Sequence, residues 1–150
     1  MGWQKWKYVL GVLCDKRVLL GLKGKVYCMV VRLAVLYGSE CGPLRKMQVQ
    51  MLMVAEMRMV RWMCGYLRID RIRNGVIRDL VKVALIKDKM RETRLRWFGH
   101  VKRRSVDAPL RRCEMINIPK GKRGRGQPKK SLDEVIREDL KVVRLTEHMA

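Results

Sequence analysis

Acid is scarce in this sequence: 14 Asp+Glu stand against 35 Lys+Arg, for a formal net charge of +21. Such a chain repels itself in any compact state unless a polyanion neutralises it. Nucleic acid is the first partner this implies, and an anionic membrane surface is the second. Paired cysteines are missing as well. Cys14, Cys28, Cys41, Cys64 and Cys113 form no CxxC, and the histidines are His100 and His148 alone. Zinc fingers and knuckles need tightly spaced ligands, so a metal site is excluded. An odd number of thiols with no secretory signal points to reduced cysteines inside the cell. No apolar run is long enough to span a bilayer: the best, at 18–37, is broken by Lys23, Lys25 and Arg32, each costly at mid-membrane. Strand-like alternation is absent, as is a GxxxxGK[ST] phosphate loop. The few acids are scattered among basic neighbours, so no carboxylate pair is placed to share an ion.

What the chain does have is apolar residues, 48% of the 150. That suffices for one domain with a modest core and excludes disorder throughout. Residues 1–17 show no clear period, and their Trp3 and Trp6 have no earlier segment to pack on. The spacing of Leu22, Val26, Met29 or Val30, Leu33 and Tyr37 predicts a helix over 18–37 stopped by Gly38. After the break at Gly42-Pro43, a second helix is expected over 44–64, ending at Gly65, with Met51, Leu52, Ala55, Met59, Trp62 and Met63 facing the core. Its methionines suit an adaptable groove, but ordinary packing accounts for them better. A third helix is expected over 71–83, capped by Asp70, with Ile72, Val76, Leu80 and Val83 inward. A fourth covers 86–104, residues 106–118 read as an irregular connection around Pro109, and SLDE at 131–134 is a capping box opening a fifth. The expected fold is an all-α irregular bundle of four to five helices. Its divisions are an N-terminal remnant (1–17), a helical domain (18–105), a basic Gly/Pro-containing linker (106–130) and a truncated C-terminal helix (131–150).

Two stretches point to a polyanion. In KMRETRLRWFGHVKRR (89–104), Met90, Trp97 and Val101 share one helical side, widened by Leu95 and Phe98. Arg94, Arg96, Lys102, Arg103 and Arg104 then form an outward basic row, and Glu92–Arg96 is a favourable i,i+4 pair. Guanidinium groups suit phosphates because the planar fork gives bidentate, permanently charged contacts. His100 lies beside Trp97 and Phe98, where it can stack on a base, although a lone surface histidine is the plainer reading. The second stretch, KGKRGRGQPKK (120–130), carries Lys120, Lys122, Arg123, Arg125, Lys129 and Lys130 with no acid among them. An extended Arg-Gly-Arg-Pro core fits a narrow A·T minor groove. Here the core reads Arg125-Gly126-Gln127-Pro128, which predicts phosphate attraction with weak base preference.

These residues also carry a family likeness. VLCDKR (12–17), LKGKVY (22–27), VLYGSEC (35–41), VAEMRMVRWMCG (54–65), DRIRN (70–74), RLRWFGHV (94–101) and KRGRGQPKK (122–130) occur in that order. Together they resemble the region after the catalytic palm in LINE-type (non-LTR) retrotransposon reverse transcriptases of the kind abundant in plant genomes. The resemblance implies a helical thumb and connection that grip RNA template and DNA primer, in the nucleus, against the palm of a parent polymerase. The family's polymerase uses two magnesium ions on paired aspartates of a Tyr-Ala-Asp-Asp-like motif. No such motif occurs here, so no catalytic residue, metal or cofactor carries over and the chain is expected to have no polymerase activity of its own. Gly42-Pro43 in place of a tryptophan, Leu33 in place of a proline, and Gln127 all depart from the family pattern and point to a truncated, decayed reading frame. Three readings therefore compete: a fragment that binds RNA, DNA or their hybrid through phosphates, a decayed product with no selected activity, and a basic amphipathic module on anionic membranes.

Overall fold

The structure, a computed structural model, describes residues 2–115 and 131–143, except for the side chains of Trp3, Glu114 and Met115. Every regular element among the described residues is helical, as expected. The helices are α1 (Gly2–Cys14), a composite over 20–36, α4 (Lys46–Cys64), α5 (Asn74–Val81), α6 (Ile86–Lys102), α7 (Pro109–Met115) and α8 (Leu132–Val143). The composite joins α2 (Leu20–Val26), a π-helical segment (Tyr27–Arg32) and α3 (Leu33–Leu36). The expected four to five helices thus become seven among the described residues, because α1 and α7 form where the sequence shows no clear period. α1 finds the partner that the sequence did not reveal. Trp6 and Leu13 are buried, and the Trp6 ring lies 6.2 Å from that of Trp62 in α4. Pro109 occupies the first residue of α7, the one helical position where its missing N–H costs nothing. No helix among the described residues is long and apolar enough to cross a membrane.

The chain forms two compact units, Met1–Ser39 with Leu44–Met90, and Glu40–Pro43 with Arg91–Ala150. The first unit has a core of Trp6, Leu13, Tyr27, Val31, Val60, Met63, Ile77 and Val81, with a smaller cluster around Leu36, Ile86 and Met90. Helix stops are as expected at Gly38 and Gly65, which hold φ of +78° and +76°. Asp70, expected to cap the third helix, instead accepts from the Leu67 N–H at 2.6 Å within its own short turn.

The composite helix turns a different face inward from the one its apolar spacing suggests. Leu22, Met29, Leu33 and Tyr37 are exposed, while Lys23, Gly24, Tyr27, Val31, Arg32 and Leu36 are buried. Two causes combine. The π segment takes up an extra residue per turn and carries the residues beyond it round the axis. The buried charges also find partners far away in sequence. Arg32 donates to Glu56 Oε1 through Nε at 3.2 Å and Nη2 at 2.6 Å, and also to the Ala84 carbonyl. Lys23 donates to the Met63 carbonyl at 3.0 Å, and Tyr27 donates to Glu56 Oε1 at 3.4 Å. Burial first, then the Glu56 charge, pushes the Tyr27 hydroxyl well above its ordinary range, so it stays a donor. The same burial raises the thiols of Cys28 and Cys64, which makes them poor nucleophiles. In α4 and α5 the inward residues also shift. Glu56 and Met57 lie buried where Met51 and Trp62 were expected, and Ile77 and Val81 where Val76 and Leu80 were.

Gly24 fixes how closely the composite helix approaches α5. A Cβ there would stand 1.8 Å from the Val81 carbonyl oxygen, whereas one at Gly21 would meet nothing within 4 Å. Gly21→Ala is therefore expected to stabilise by up to about 1 kcal/mol from helix propensity, while Gly24→Ala lowers the melting temperature despite the same gain. Thermal unfolding followed by circular dichroism separates them, and equal shifts would contradict the close approach. Glu56→Gln leaves Arg32 buried beside a weaker partner and is expected to cost about 3–5 kcal/mol. The double variant Arg32→Met, Glu56→Leu should lose less than Glu56→Gln alone, which urea titration measures.

Candidate nucleic-acid interface

Helix α6 forms where its sequence predicts, and its apolar side is the expected one: Met90, Phe98 and Val101 are buried, with Leu95 and Trp97 half-buried. In the second unit it packs on α8 through Phe98, Ile136 and Leu140. α8 opens as its capping box dictates, with Glu134 N–H donating to Ser131 Oγ at 3.2 Å and Ser131 N–H to Glu134 Oε2 at 3.1 Å. Val135, Ile136 and Leu140 then face inward, and Asp139 follows on the same side.

Asp139 divides the arginines of α6 into two kinds. Arg91 Nε lies 3.5 Å from one of its oxygens and Arg94 Nε 3.1 Å from the other. Arg94 is thereby buried and does not stand in the outward row where the sequence put it. Nothing in 89–104 could have foretold this, because the acid that claims Arg94 comes from α8. Arg96 does point outward and meets Glu92 at 2.8 Å, the expected i,i+4 pair. An exposed pair of this kind is worth only about 0.3–0.5 kcal/mol, so a phosphate can compete for the guanidinium.

The other basic residues of the helix end are exposed: His100, Lys102, Arg103 and Arg104. Arg104 Nη2 lies 3.1 Å from His100 Nε2. A guanidinium only donates, so a bond there needs Nε2 unprotonated. Lys102 Nζ stands 5.2 Å from the centre of the Phe98 ring, which lends the ammonium a cation–π contact. From Arg96 to Lys102, the last residue of α6, the helix rises roughly 9 Å, and Arg103 and Arg104 continue the basic row just beyond its end. Lys120, Lys122, Arg123, Arg125, Lys129 and Lys130 lie outside the described residues.

A second basic surface, in the first unit, escaped the sequence reading. Arg58 and Arg61 of α4, Arg68 of the short turn before α5, and Arg78 of α5 line a cavity of about 390 Å³ together with Met53, Val54 and Met57. The signal for it was present: Met53, Met57, Arg58 and Arg61 recur at helical spacing. Ordinary core packing accounts for methionines at that spacing equally well, which masks the signal. Among the described residues no group of three His, Cys, Asp or Glu side chains is disposed to hold a metal ion. Comparison of the chain with protein-family models, curated proteins and solved structures gives no match in any of the three.

The division made by Asp139 has a measurable consequence. Arg94→Gln leaves a half-buried carboxylate with one partner fewer and is expected to cost about 2 kcal/mol of stability. Arg96→Gln and Arg104→Gln, at exposed positions, are expected to stay within about 0.5 kcal/mol of the parent. Chemical denaturation of the three variants checks the contrast.

Proposed function

We propose that this protein is a non-enzymatic nucleic-acid-binding helical module of the kind found in the thumb and connection of a LINE-type reverse transcriptase, with no polymerase site of its own. The observation that carries the reading is the exposed basic row of Arg96, His100, Lys102, Arg103 and Arg104 at the end of α6. A helix clamped from behind by Phe98, Ile136, Leu140 and the Asp139 ion pairs offers these side chains from a fixed base. Preorganised cations of one sign with few competing acids attract the phosphate backbone irrespective of base sequence. RNA, DNA and their hybrid are thus the proposed partners, and the nucleus is the proposed location.

A second reading, a decayed product whose apolar surface once met a palm domain, draws support from one observation. Leu22, Met29 and Leu33 of the composite helix, and Tyr37 just after it, are large apolar side chains left exposed. Exposed apolar surface of that kind marks contact sites in larger assemblies and aggregation sites in isolated chains.

A filter-binding titration with an RNA–DNA hybrid distinguishes them. If about six phosphates are neutralised, affinity falls on the order of a thousandfold between 50 and 200 mM salt. Arg96→Gln with Arg104→Gln should flatten the slope by roughly two phosphates. A flat salt response in the parent rejects the binding module, and aggregation without a cooperative melting transition favours the decayed product.

A further inference from the structure

We infer that the arginine-lined cavity of the first unit is a binding site for a phosphorylated nucleoside. Its rim carries Arg58, Arg61, Arg68 and Arg78, and no acid lines it. Four like charges around one cavity repel one another, and an anion between them turns that repulsion into attraction.

Each arginine comes to the cavity in a different state. Arg61 is a built part of the wall, since its Nη2 donates to the Ile72 carbonyl at 2.6 Å and to Asn74 Oδ1 at 2.9 Å, and its Nη1 to the Leu67 carbonyl at 3.3 Å. These bonds fix the turn that brings Arg68 to the rim. Arg78 is mostly buried, and its nearest acid oxygen, Glu56 Oε2, is 3.9 Å away, too far for a hydrogen bond. Its Nε is buried and has no hydrogen-bond partner among the described residues. Arg78 nonetheless lines the cavity, with no acid at hydrogen-bond distance from its guanidinium. Arg58 and Arg68 are exposed, free to close over a ligand.

The chemistry of the ligand follows from the two halves of the cavity. Guanidinium forks match phosphate oxygens bidentately, and four of them suit more than one negative charge. The cavity is far roomier than an inorganic ion requires and lies within the range of small-molecule sites. Met53, Val54 and Met57 also line it, a soft apolar surface suited to the face of a flat ring. A base on the methionines with its phosphates among the arginines uses both halves. The ligand is either a free nucleotide or the phosphorylated end of a strand. The site uses none of the residues assigned to the α6 row.

The test is a fluorescence-anisotropy titration of the full chain with methylanthraniloyl-ADP at about 150 mM salt, where long-range attraction is largely screened. Saturable binding is expected, displaced by ADP but not by adenosine, and by pyrophosphate only at concentrations roughly tenfold higher. Arg58→Gln with Arg68→Gln should weaken the probe roughly tenfold or more, while Arg96→Gln with Arg104→Gln leaves it within about twofold. Both pairs are exposed, and unchanged circular dichroism verifies that the variants fold. A 5′-phosphorylated oligonucleotide that displaces the probe better than its 5′-hydroxyl counterpart assigns the site to strand ends; displacement by neither assigns it to the free nucleotide, and equal displacement by both overturns the inference in favour of backbone binding. The inference is overturned if the Arg58/Arg68 pair binds the probe as the parent does, or if adenosine or pyrophosphate competes as well as ADP. Its failure alongside an intact salt-dependent grip on hybrid would leave the α6 reading standing.

Discussion

A carboxylate fully withdrawn from water, Glu56, sits at the middle of α4, and the first unit is arranged around the need to meet it. Arg32 reaches it from the composite helix with two donors, Tyr27 adds a third, and Arg78 approaches from α5. Three helices are thereby tied at one point, 24 or more residues apart along the chain for the Arg32 and Tyr27 bonds. A network of this type contributes little net stability when whole, because desolvation offsets most of the attraction. Its effect is selective: any packing that separates the partners strands a buried charge. The close approach at Gly24 works in the same direction, since only a residue without a Cβ lets the composite helix lie against the Val81 carbonyl.

Arginine plays two parts in this chain, and the scarce acids determine which. Glu56 and Asp139 draw Arg32, Arg91 and Arg94 toward the interior of their units, where they lock helices together. Carbonyl oxygens do the same for Arg61 and Lys23. With 14 acids for 35 cations, one-to-one pairing with acids cannot account for most of the basic side chains. The excess is therefore a property of the surface. Fold stability does not call for it, and self-repulsion works against it. A polyanion is the simplest agent that makes such a surface favourable.

Features that depend on neighbours a few residues away were legible in the sequence. The Ser131–Glu134 capping box, the Glu92–Arg96 pair, the glycine stops at 38 and 65 and the apolar side of α6 are all local, and all are present. Features that depend on distant partners were not. The stripe through Leu22, Met29, Leu33 and Tyr37 looked like a core face because the competing face carries Lys23 and Arg32, and burying a charge is unfavourable unless it is met. The groups that meet those charges come from α4, and the π turn that aims them has no sequence signature at this level of reading. Arg94 was misplaced for the same reason, its acid lying on α8. The cavity arginines escape for a different reason: the α4 methionines do pack the core at Met57, Met59 and Met63, and Met57 also borders the cavity.

The same interior bears on the choice between a retained module and a decayed one. A chain drifting without constraint loses first the arrangements in which many single substitutions are costly. Glu56, Arg32 and Gly24 are positions of that kind, because a change at any one strands a charge or drives a methyl into backbone. Asp139 makes a fourth in the second unit. The departures read against the reverse-transcriptase pattern fall elsewhere within the described residues: Leu33 is exposed, and Gly42-Pro43 lies in a connecting segment. An interior of this kind gives the proposed nucleic-acid-binding module what it requires, since an outward row of cations meets phosphates at fixed spacing only from a stable scaffold.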